Sequence, residues 1–349
     1  MGELHSLRTD DFDYHIPPKF VAQIPIEPRD SARMMVWQRD ASGIAHRQVA
    51  DIGSYLNPGD AIVLNDTRVF AGRLRASKST GGRVELLLLR RMGGRTWEAM
   101  VRGRGMGPGA RVEIEGGGLS ARILADAGGP RRVVMFSHSI SPLLHEIGET
   151  PLPPYVKNRV IDDERYQTVY AAVDGSAAAP TAGLHFTSQL LSVLRAKGVK
   201  MVMVTLHIGI DTFGPVVTET VIDHPIHSEW CCLDETAAET INSVRNGGGR
   251  VVAVGTTTVR VLETAARAAG ASEVVSPVCG YTDVFITPGH PFRAVDALLT
   301  NFHLPRSTLL MLVAAFLGAN GRAEILDAYR VAMRTGYRFF SFGDAMLIL

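Results

Sequence analysis

The sequence predicts a discontinuous α/β main domain, mixed in strand direction, interrupted by a small all-β module. Three observations carry this reading. From Ser188 onward, helical stretches alternate with apolar strand-like runs, the pattern of βαβ units. Between Thr67 and Ser139, short apolar or alternating runs are separated by glycine-rich turns, as in antiparallel barrels and sandwiches. The same stretch is strongly basic while its surroundings are not: Arg68 to Arg132 holds 14 Lys and Arg against 5 Asp and Glu, leaving 22 basic against 30 acidic residues elsewhere.

Taken in chain order, the β module is read from the runs Val63-Leu64, Val84 to Leu89, Trp97 to Val101, Val112 to Ile114, Ala121 to Leu124 and Val133 to Phe136. They are punctuated by Gly81-Gly82, Gly93-Gly94, Gly116-Gly117-Gly118 and Gly128-Gly129. Ser188 to Ala196 has helical spacing and stops at Lys197-Gly198, after which Val199 to Leu206 reads as a buried strand. Asp234 to Arg245 is a second helix, broken by Gly247-Gly248-Gly249 before the strand Arg250 to Val254. Thr258 to Ala269 and Gly321 to Arg334 are further helices, and Ala345 to Leu349 is a closing strand. The expected domains are therefore 1–66 plus 140–349, the α/β catalytic part, and 67–139, the inserted basic part. Charge asymmetry of this size suggests a polyanion-binding face on the insertion; a solvated basic surface is the alternative.

At 349 residues and 46% hydrophobic content the chain buries a substantial core. Met1-Gly2-Glu3-Leu4-His5 lacks the basic and apolar regions of a signal peptide. Leu309 to Leu317 is too short for a bilayer, which takes about 20 residues, and reads as a buried helix. Cys231, Cys232 and Cys279 form no CxxC pair, which argues against a disulfide framework or thiolate metal site and for a reducing compartment. A cytoplasmic, monomeric protein without membrane association is expected.

Four clusters could carry chemistry. Ala179-Pro180-Thr181-Ala182-Gly183-Leu184-His185-Phe186 is a shaped loop entering a helix, in which His185 is a general acid or base, or simply packs beneath the helix. Thr205-Leu206-His207-Ile208-Gly209-Ile210-Asp211-Thr212-Phe213 lies at the carboxyl end of a predicted strand, where open α/β sheets bind ligands. Asp211 there could meet a cation or a ribose hydroxyl, or stabilise its own turn. His224, His227 and Glu229, with His185, His207 and His303, invite a metal reading, but their spacing matches no ligand motif, and hydrogen-bonding roles are expected instead. Val254-Gly255-Thr256-Thr257-Thr258-Val259-Arg260 runs from strand through turn to helix, where free N–H groups, hydroxyls and the guanidinium suit a carboxylate or phosphate. The threonines could equally be N-caps.

Together and in this order, these blocks resemble the S-adenosylmethionine:tRNA ribosyltransferase-isomerase family of queuosine biosynthesis. The likeness includes Ala22-Gln23-Ile24-Pro25, Leu64-Asn65-Asp66-Thr67-Arg68-Val69, Pro151-Leu152-Pro153-Pro154-Tyr155, Glu164-Arg165-Tyr166-Gln167-Thr168-Val169-Tyr170 and His227-Ser228-Glu229. Thr300-Asn301-Phe302-His303-Leu304-Pro305 and Tyr337-Arg338-Phe339-Phe340-Ser341-Phe342-Gly343-Asp344 extend it across the chain. The resemblance implies an α/β domain, barrel-like or sheet-centred, with an inserted small antiparallel β-barrel. It implies transfer and isomerisation of the ribosyl part of S-adenosylmethionine onto 7-aminomethyl-7-deazaguanine at the tRNA wobble position, giving epoxyqueuosine with loss of adenine and methionine. S-adenosylmethionine is then a co-substrate, with no metal or bound cofactor.

Position and chemistry give the expected roles. His185 or His207 is the base; Thr256, Thr257 and Arg260 hold the methionine carboxylate; Glu229 and Asn301 meet ribose or base edges. Thr181, Asp211 and His303 complete the S-adenosylmethionine site, and Arg68, Arg73, Arg102 and Arg104 contact tRNA. The family usually has a G-x-G-T-F turn where this chain has Asp211 at the second glycine, and a larger aliphatic where it has Ala178. The Asp211 departure leaves open a divergent RNA-binding relative with altered activity, and the His and Glu cluster a metal-dependent hydrolase.

Overall fold

A computed structural model of the chain describes residues 7–39, 43–116, 118–157, 162–209 and 214–349. It divides into two compact units, one comprising Met1–Thr67, Pro153–Val173 and Ala179–Leu349, the other Arg68–Leu152 and Asp174–Ala178. In chain order the strands begin with β1 (Arg33–Trp37), β2 (Ile44–Gln48) and β3 (Ala61–Asn65), followed by the short β4 (Thr67–Val69). Then come β5 (Arg73–Ser77), β6 (Arg83–Gly93), β7 (Thr96–Arg102), β8 (Arg111–Ile114), β9 (Leu119–Asp126) and β10 (Arg131–Phe136). The helical turn α1 (Leu144–Ile147) and β11 (Val173–Ser176) lead to α2 (Ser188–Ala196), β12 (Lys200–Leu206) and β13 (Glu229–Leu233). The chain continues through α3 (Glu235–Asn246), β14 (Val251–Val254), α4 (Thr256–Ala268), β15 (Val278–Thr282) and β16 (Ala297–Asn301). It closes with α5 (Thr308–Leu317), α6 (Gly321–Arg334) and β17 (Ala345–Ile348).

The first unit is built on a nine-stranded mixed sheet in the order β15-β13-β12-β3-β14-β16-β17-β1-β2. Its centre, β12-β3-β14-β16, is parallel throughout. Parallel strands are covered on both faces, which is why β3, β14 and β16 are buried at every residue. Towards the edges the pairing turns antiparallel, with β13 against β12 and β15 against β13. Helices α2, α5 and α3 start at side-chain caps: the hydroxyls of Thr187 and Ser307 and the carboxylate of Asp234 accept from the N–H of Leu190, Leu310 and Ala237 at 3.0, 3.2 and 2.8 Å. Helix α2 ends at Gly198, whose φ of 89° is the left-handed geometry that glycine adopts without strain.

The second unit is a closed six-stranded antiparallel barrel, β10-β7-β6-β5-β8-β9. Alternate residues point inward, so Leu74, Leu86, Leu88, Ala99, Val112 and Ile123 form its core, while Arg75, Arg111 and Arg122 between them are exposed. The unit reaches past the expected edge at Ser139. Ile140 and Leu144 join its core, and Glu149 exchanges backbone hydrogen bonds with Arg73 at 3.0 and 2.8 Å.

Three expectations are corrected. Val63-Leu64 belongs not to the β module but to β3, the centre of the main sheet. Helix α4 begins at Thr256 with Gly255 as N-cap and no side-chain cap bond, so Thr256 and Thr257 are first-turn residues rather than caps. Cys232 and Cys279 form a disulfide, because the β13–β15 register sets them directly opposite each other; a pairing across 47 residues leaves no spacing signature. Cys231, on the other face of β13, is buried and free. No single helix among the described residues is long and apolar enough to cross a membrane, and α5, the apolar run, is buried from Leu310 to Leu317.

Candidate active site

Four neighbouring parallel strands end side by side: β12 at Leu206, β3 at Asn65, β14 at Val254 and β16 at Asn301. Beyond their carboxyl ends lies a cleft with about 550 Å³ of empty space, counted out to its open mouth. The position is where α/β sheets bind ligands. Thr181, Thr256, Thr257, Asn301 and His303 line it, with Tyr155 and Phe340.

The floor is held by Asn65, which is fully buried. Its Nδ2 donates to the Leu206 carbonyl and the Thr257 hydroxyl, both at 3.1 Å, and its Oδ1 accepts from the N–H of Leu206 at 3.0 Å and of Thr67 at 3.2 Å. One amide thus ties two strands to the first turn of α4. At that turn Gly255 has φ 88° and an extended ψ of 153°, which brings the strand end directly into the helix start. With no side chain capping it, the first turn presents backbone N–H groups and a positive dipole end beside the Thr256 and Thr257 hydroxyls.

On the opposite wall Thr181 donates to Asn301 Oδ1 at 3.1 Å, and Asn301 Nδ2 lies 3.3 Å from both the Phe340 carbonyl and His185 Nε2. Phe340 sits at φ 70°, a region costly for a residue with a side chain. Its loop is fixed by the buried Asp344, whose carboxylate accepts from the N–H of Arg338 at 2.7 Å and of Arg33 at 3.0 Å. Tyr155 is locked by a 2.6 Å hydrogen bond to Ser341, and burial pushes its phenol up to about 12.

The three imidazoles fall into different places. His303 lines the cleft, its Nε2 2.7 Å from the Thr300 hydroxyl. Burial drives it down to about 3, so it is neutral at physiological pH. His185 lies behind Asn301 in an adjoining cleft beside Arg29; burial, then the positive charges of Arg338 and Arg29, lower it to about 4. His207 hydrogen-bonds Thr67 through Nδ1 at 2.8 Å and stacks on Trp230, ring centroids 5.0 Å apart and 20° from parallel.

Arg260 and Glu229 do not join the cleft wall. Arg260 Nη1 pairs with Glu229, while its other donors reach the Val284 carbonyl at 3.1 Å and the Thr282 carbonyl at 3.4 Å. Glu229 also accepts from Gly209 N–H at 2.8 Å. Arg260 is thus engaged with a buried carboxylate and two carbonyls along the β13–β15 edge. Asp211 falls outside the described residues. Among the described residues no group of three His, Cys, Asp or Glu could hold a metal ion.

Sequence reasoning passed over Asn65 and Phe340 as site residues. Both sit in blocks quoted only for the family likeness, and an Asn closing an apolar run is a weak signal by itself. In the barrel unit, Arg102 and Arg104 are exposed and Arg68 is half-buried. Arg73 lies 3.7 Å from Glu85, so its charge is partly compensated. Other barrel arginines are paired at shorter range, Arg75 with Glu149 at 2.8 Å and Arg90 with Glu98 at 3.2 Å.

Residues 9–348 match the model of a family described as queuosine biosynthesis protein. Relatives named S-adenosylmethionine:tRNA ribosyltransferase-isomerase include that of Moorella thermoacetica, 51% identical over 98% of this chain and 100% of its own length. That of Symbiobacterium thermophilum is 50% identical with the same coverage. Among solved structures, the S-adenosylmethionine tRNA ribosyltransferase of Thermotoga maritima is similar at 39% identity and a TM-score of 0.56, over 97% of this chain and 100% of that one.

Proposed function

Because the chain belongs to the queuosine biosynthesis protein family, we propose that it is an S-adenosylmethionine:tRNA ribosyltransferase-isomerase. It moves the ribosyl part of S-adenosylmethionine onto 7-aminomethyl-7-deazaguanine at the tRNA wobble position, forms epoxyqueuosine and releases adenine and methionine. The observation that supports this best is the cleft at the parallel strand ends, with an uncapped helix start on one side and a Thr–Asn–His hydrogen-bonded wall on the other.

The reaction sets the requirements. The sulfonium acidifies the ribose C5′ proton; its removal opens the sugar, and adenine departs with a proton. The neutral substrate amine then attacks the ring-opened sulfonium species, and an alkoxide displaces methionine to close the epoxide. A base, an acid and a carboxylate site are needed. The first turn of α4, with Thr256 and Thr257, takes the methionine carboxylate. Thr181 and Asn301 take ribose hydroxyls. His303, neutral and inside the cleft, offers a hydrogen bond to the reacting groups beside the Thr300 hydroxyl. His185 is assigned to positioning Asn301, and Glu229 to holding Arg260 and Gly209.

S-adenosylmethionine serves as co-substrate, with no resident cofactor, and the chain acts as a cytoplasmic monomer. Arg68, Arg73, Arg102 and Arg104 bind tRNA phosphates. The test is adenine release from purified protein given S-adenosylmethionine and tRNA bearing 7-aminomethyl-7-deazaguanine. Adenine appearing only with both substrates, matched by a mass gain on the tRNA, is expected. No adenine, with tRNA binding intact, would overturn the reading in favour of a divergent RNA-binding relative in which Asp211 has altered the site.

A further inference from the structure

The edge of the main sheet carries a feature that the reaction does not use. Backbone pairing sets Leu206 opposite Cys231, so His207 follows opposite Trp230, whose carbonyl accepts the His207 N–H at 2.9 Å. Trp230 in turn is registered opposite Tyr281 on β15. Directly paired residues leave a sheet on the same face. Three rings therefore stand in a row across β12, β13 and β15, and the first two are already stacked.

The face is open. Along β13 burial alternates, with Glu229, Cys231 and Leu233 buried beneath the helices and Trp230 and Cys232 only half-buried. On β15 the residues of the same face, Cys279 and Tyr281, are exposed, Tyr281 to 60%. Tyr281 thus presents most of its ring to solvent beside the half-buried Trp230. The row starts one residue from the cleft: Ile208, next to His207, is one of its lining residues.

We propose that His207, Trp230 and Tyr281 form a stacking platform for an unpaired nucleobase of the RNA substrate, the one flanking the modified guanine. This rests on the reading of the chain as a tRNA-modifying enzyme and names how it holds the loop. Aromatic rows on a sheet suit single-stranded bases, because every base offers a π-face and unpaired loop bases are free to splay out. The platform grips the loop beside the cleft, and the basic barrel meets phosphates.

The experiment uses a hairpin RNA with 2-aminopurine beside the target guanine, whose fluorescence is quenched on stacking. Wild-type protein is expected to quench it. Tyr281→Ala should abolish most of the quenching and weaken RNA affinity roughly tenfold, the scale of one stacked base, and Tyr281→Phe should restore both. In the turnover assay Tyr281→Ala should raise KM for RNA by a similar factor while KM for S-adenosylmethionine and kcat stay unchanged. Equal quenching by wild type and Tyr281→Ala would overturn the proposal. So would a Tyr281→Ala protein whose only change is the loss of a dimer in sedimentation, which would assign the face to a second copy of the chain. Wild-type protein that binds and quenches the hairpin without releasing adenine would sink the enzymatic reading and leave the platform standing.

Discussion

Acidification from pH 7 to pH 5 should destabilise this protein by about 4 kcal/mol through two buried imidazoles alone. His185 and His303 are lowered from an ordinary value of 6.5 to about 4 and about 3. Both are nearly inaccessible, at 5% and 8% exposure. In the unfolded chain each ring takes up its proton as pH falls through 6.5, whereas in the folded chain both stay neutral down to pH 5. The unfolded state therefore binds more protons, and stability must rise with pH in this window. Over the ~1.5 pH units from 6.5 to 5, at about 1.4 kcal/mol per unit, each ring contributes about 2 kcal/mol. Burial lowers His46 and His224 in the same direction. Asp66, raised by burial, acts oppositely, losing its contribution as pH rises. A total near 4 kcal/mol is a large part of a typical domain's stability. The assay is urea unfolding at pH 7, 6 and 5 for wild type and His185→Asn. The variant should be less stable at pH 7 but lose only about half as much stability on acidification. A wild-type midpoint that does not move between pH 7 and 5, or an unchanged slope in the variant, would refute the assignment of these rings as buried and neutral.

Other outcomes follow from the same geometry. His303→Ala should lower kcat for adenine release by about tenfold, the scale of one lost hydrogen bond, with KM values nearly unchanged; an unaltered kcat would remove His303 from the chemistry. Asp60→Asn should cost about 2 kcal/mol in chemical denaturation, because the carboxylate holds Arg250 Nη2 at 2.7 Å and the N–H groups of Asn57 and Arg250 at 2.8 and 2.9 Å. Gly183→Ala should reduce stability by about 1–3 kcal/mol and disturb the Thr181 turn, since a Cβ there would fall 2.1 Å from Tyr170 Oη; thermal melts check it. Charge reversal of Arg102 and Arg104 should weaken RNA binding whatever the hairpin sequence and flatten its salt dependence by about one unit of slope for each phosphate no longer neutralised. An unaltered slope would clear the barrel of that role.

The fold was legible where a sequence obeys one local rule. Ser188–Ala196 and Gly321–Arg334 carry clear amphipathic spacing and match their observed bounds. The barrel strands stand out because glycine turns separate alternating runs. Val63-Leu64 misled because a fully buried parallel strand has no alternation to mark its sheet, and it adjoins the basic stretch. The strand Arg33–Trp37, whose long-range partner is β17, and its hairpin neighbour Ile44–Gln48 carried too little pattern to be read. In the site, Thr181, Thr256, Thr257, Asn301 and His303 line one cleft because strand ends bring distant motifs together. The pairing of Arg260 was not readable, since nothing in its own segment reveals that Glu229, 31 residues away, faces it. The Cys232–Cys279 bond was hidden for the same reason: register, not spacing, makes neighbours across a sheet.

Strand order also sets the order in which the chain can fold during synthesis. The barrel strands β5 to β10 follow one another within a single continuous stretch, so their partners emerge from the ribosome together. β3 leaves before them, yet both of its partners, β12 and β14, come only after the barrel is complete. β17 then enters between β16 and β1, joining strands whose synthesis lies more than 260 residues apart. Until that last insertion the sheet exists as two parts with open, apolar edges, the kind of intermediate that recruits chaperones or aggregates. The barrel can thus be folded and basic while the cleft is still unassembled, so a nascent chain carries its strongly basic surface before its cleft exists.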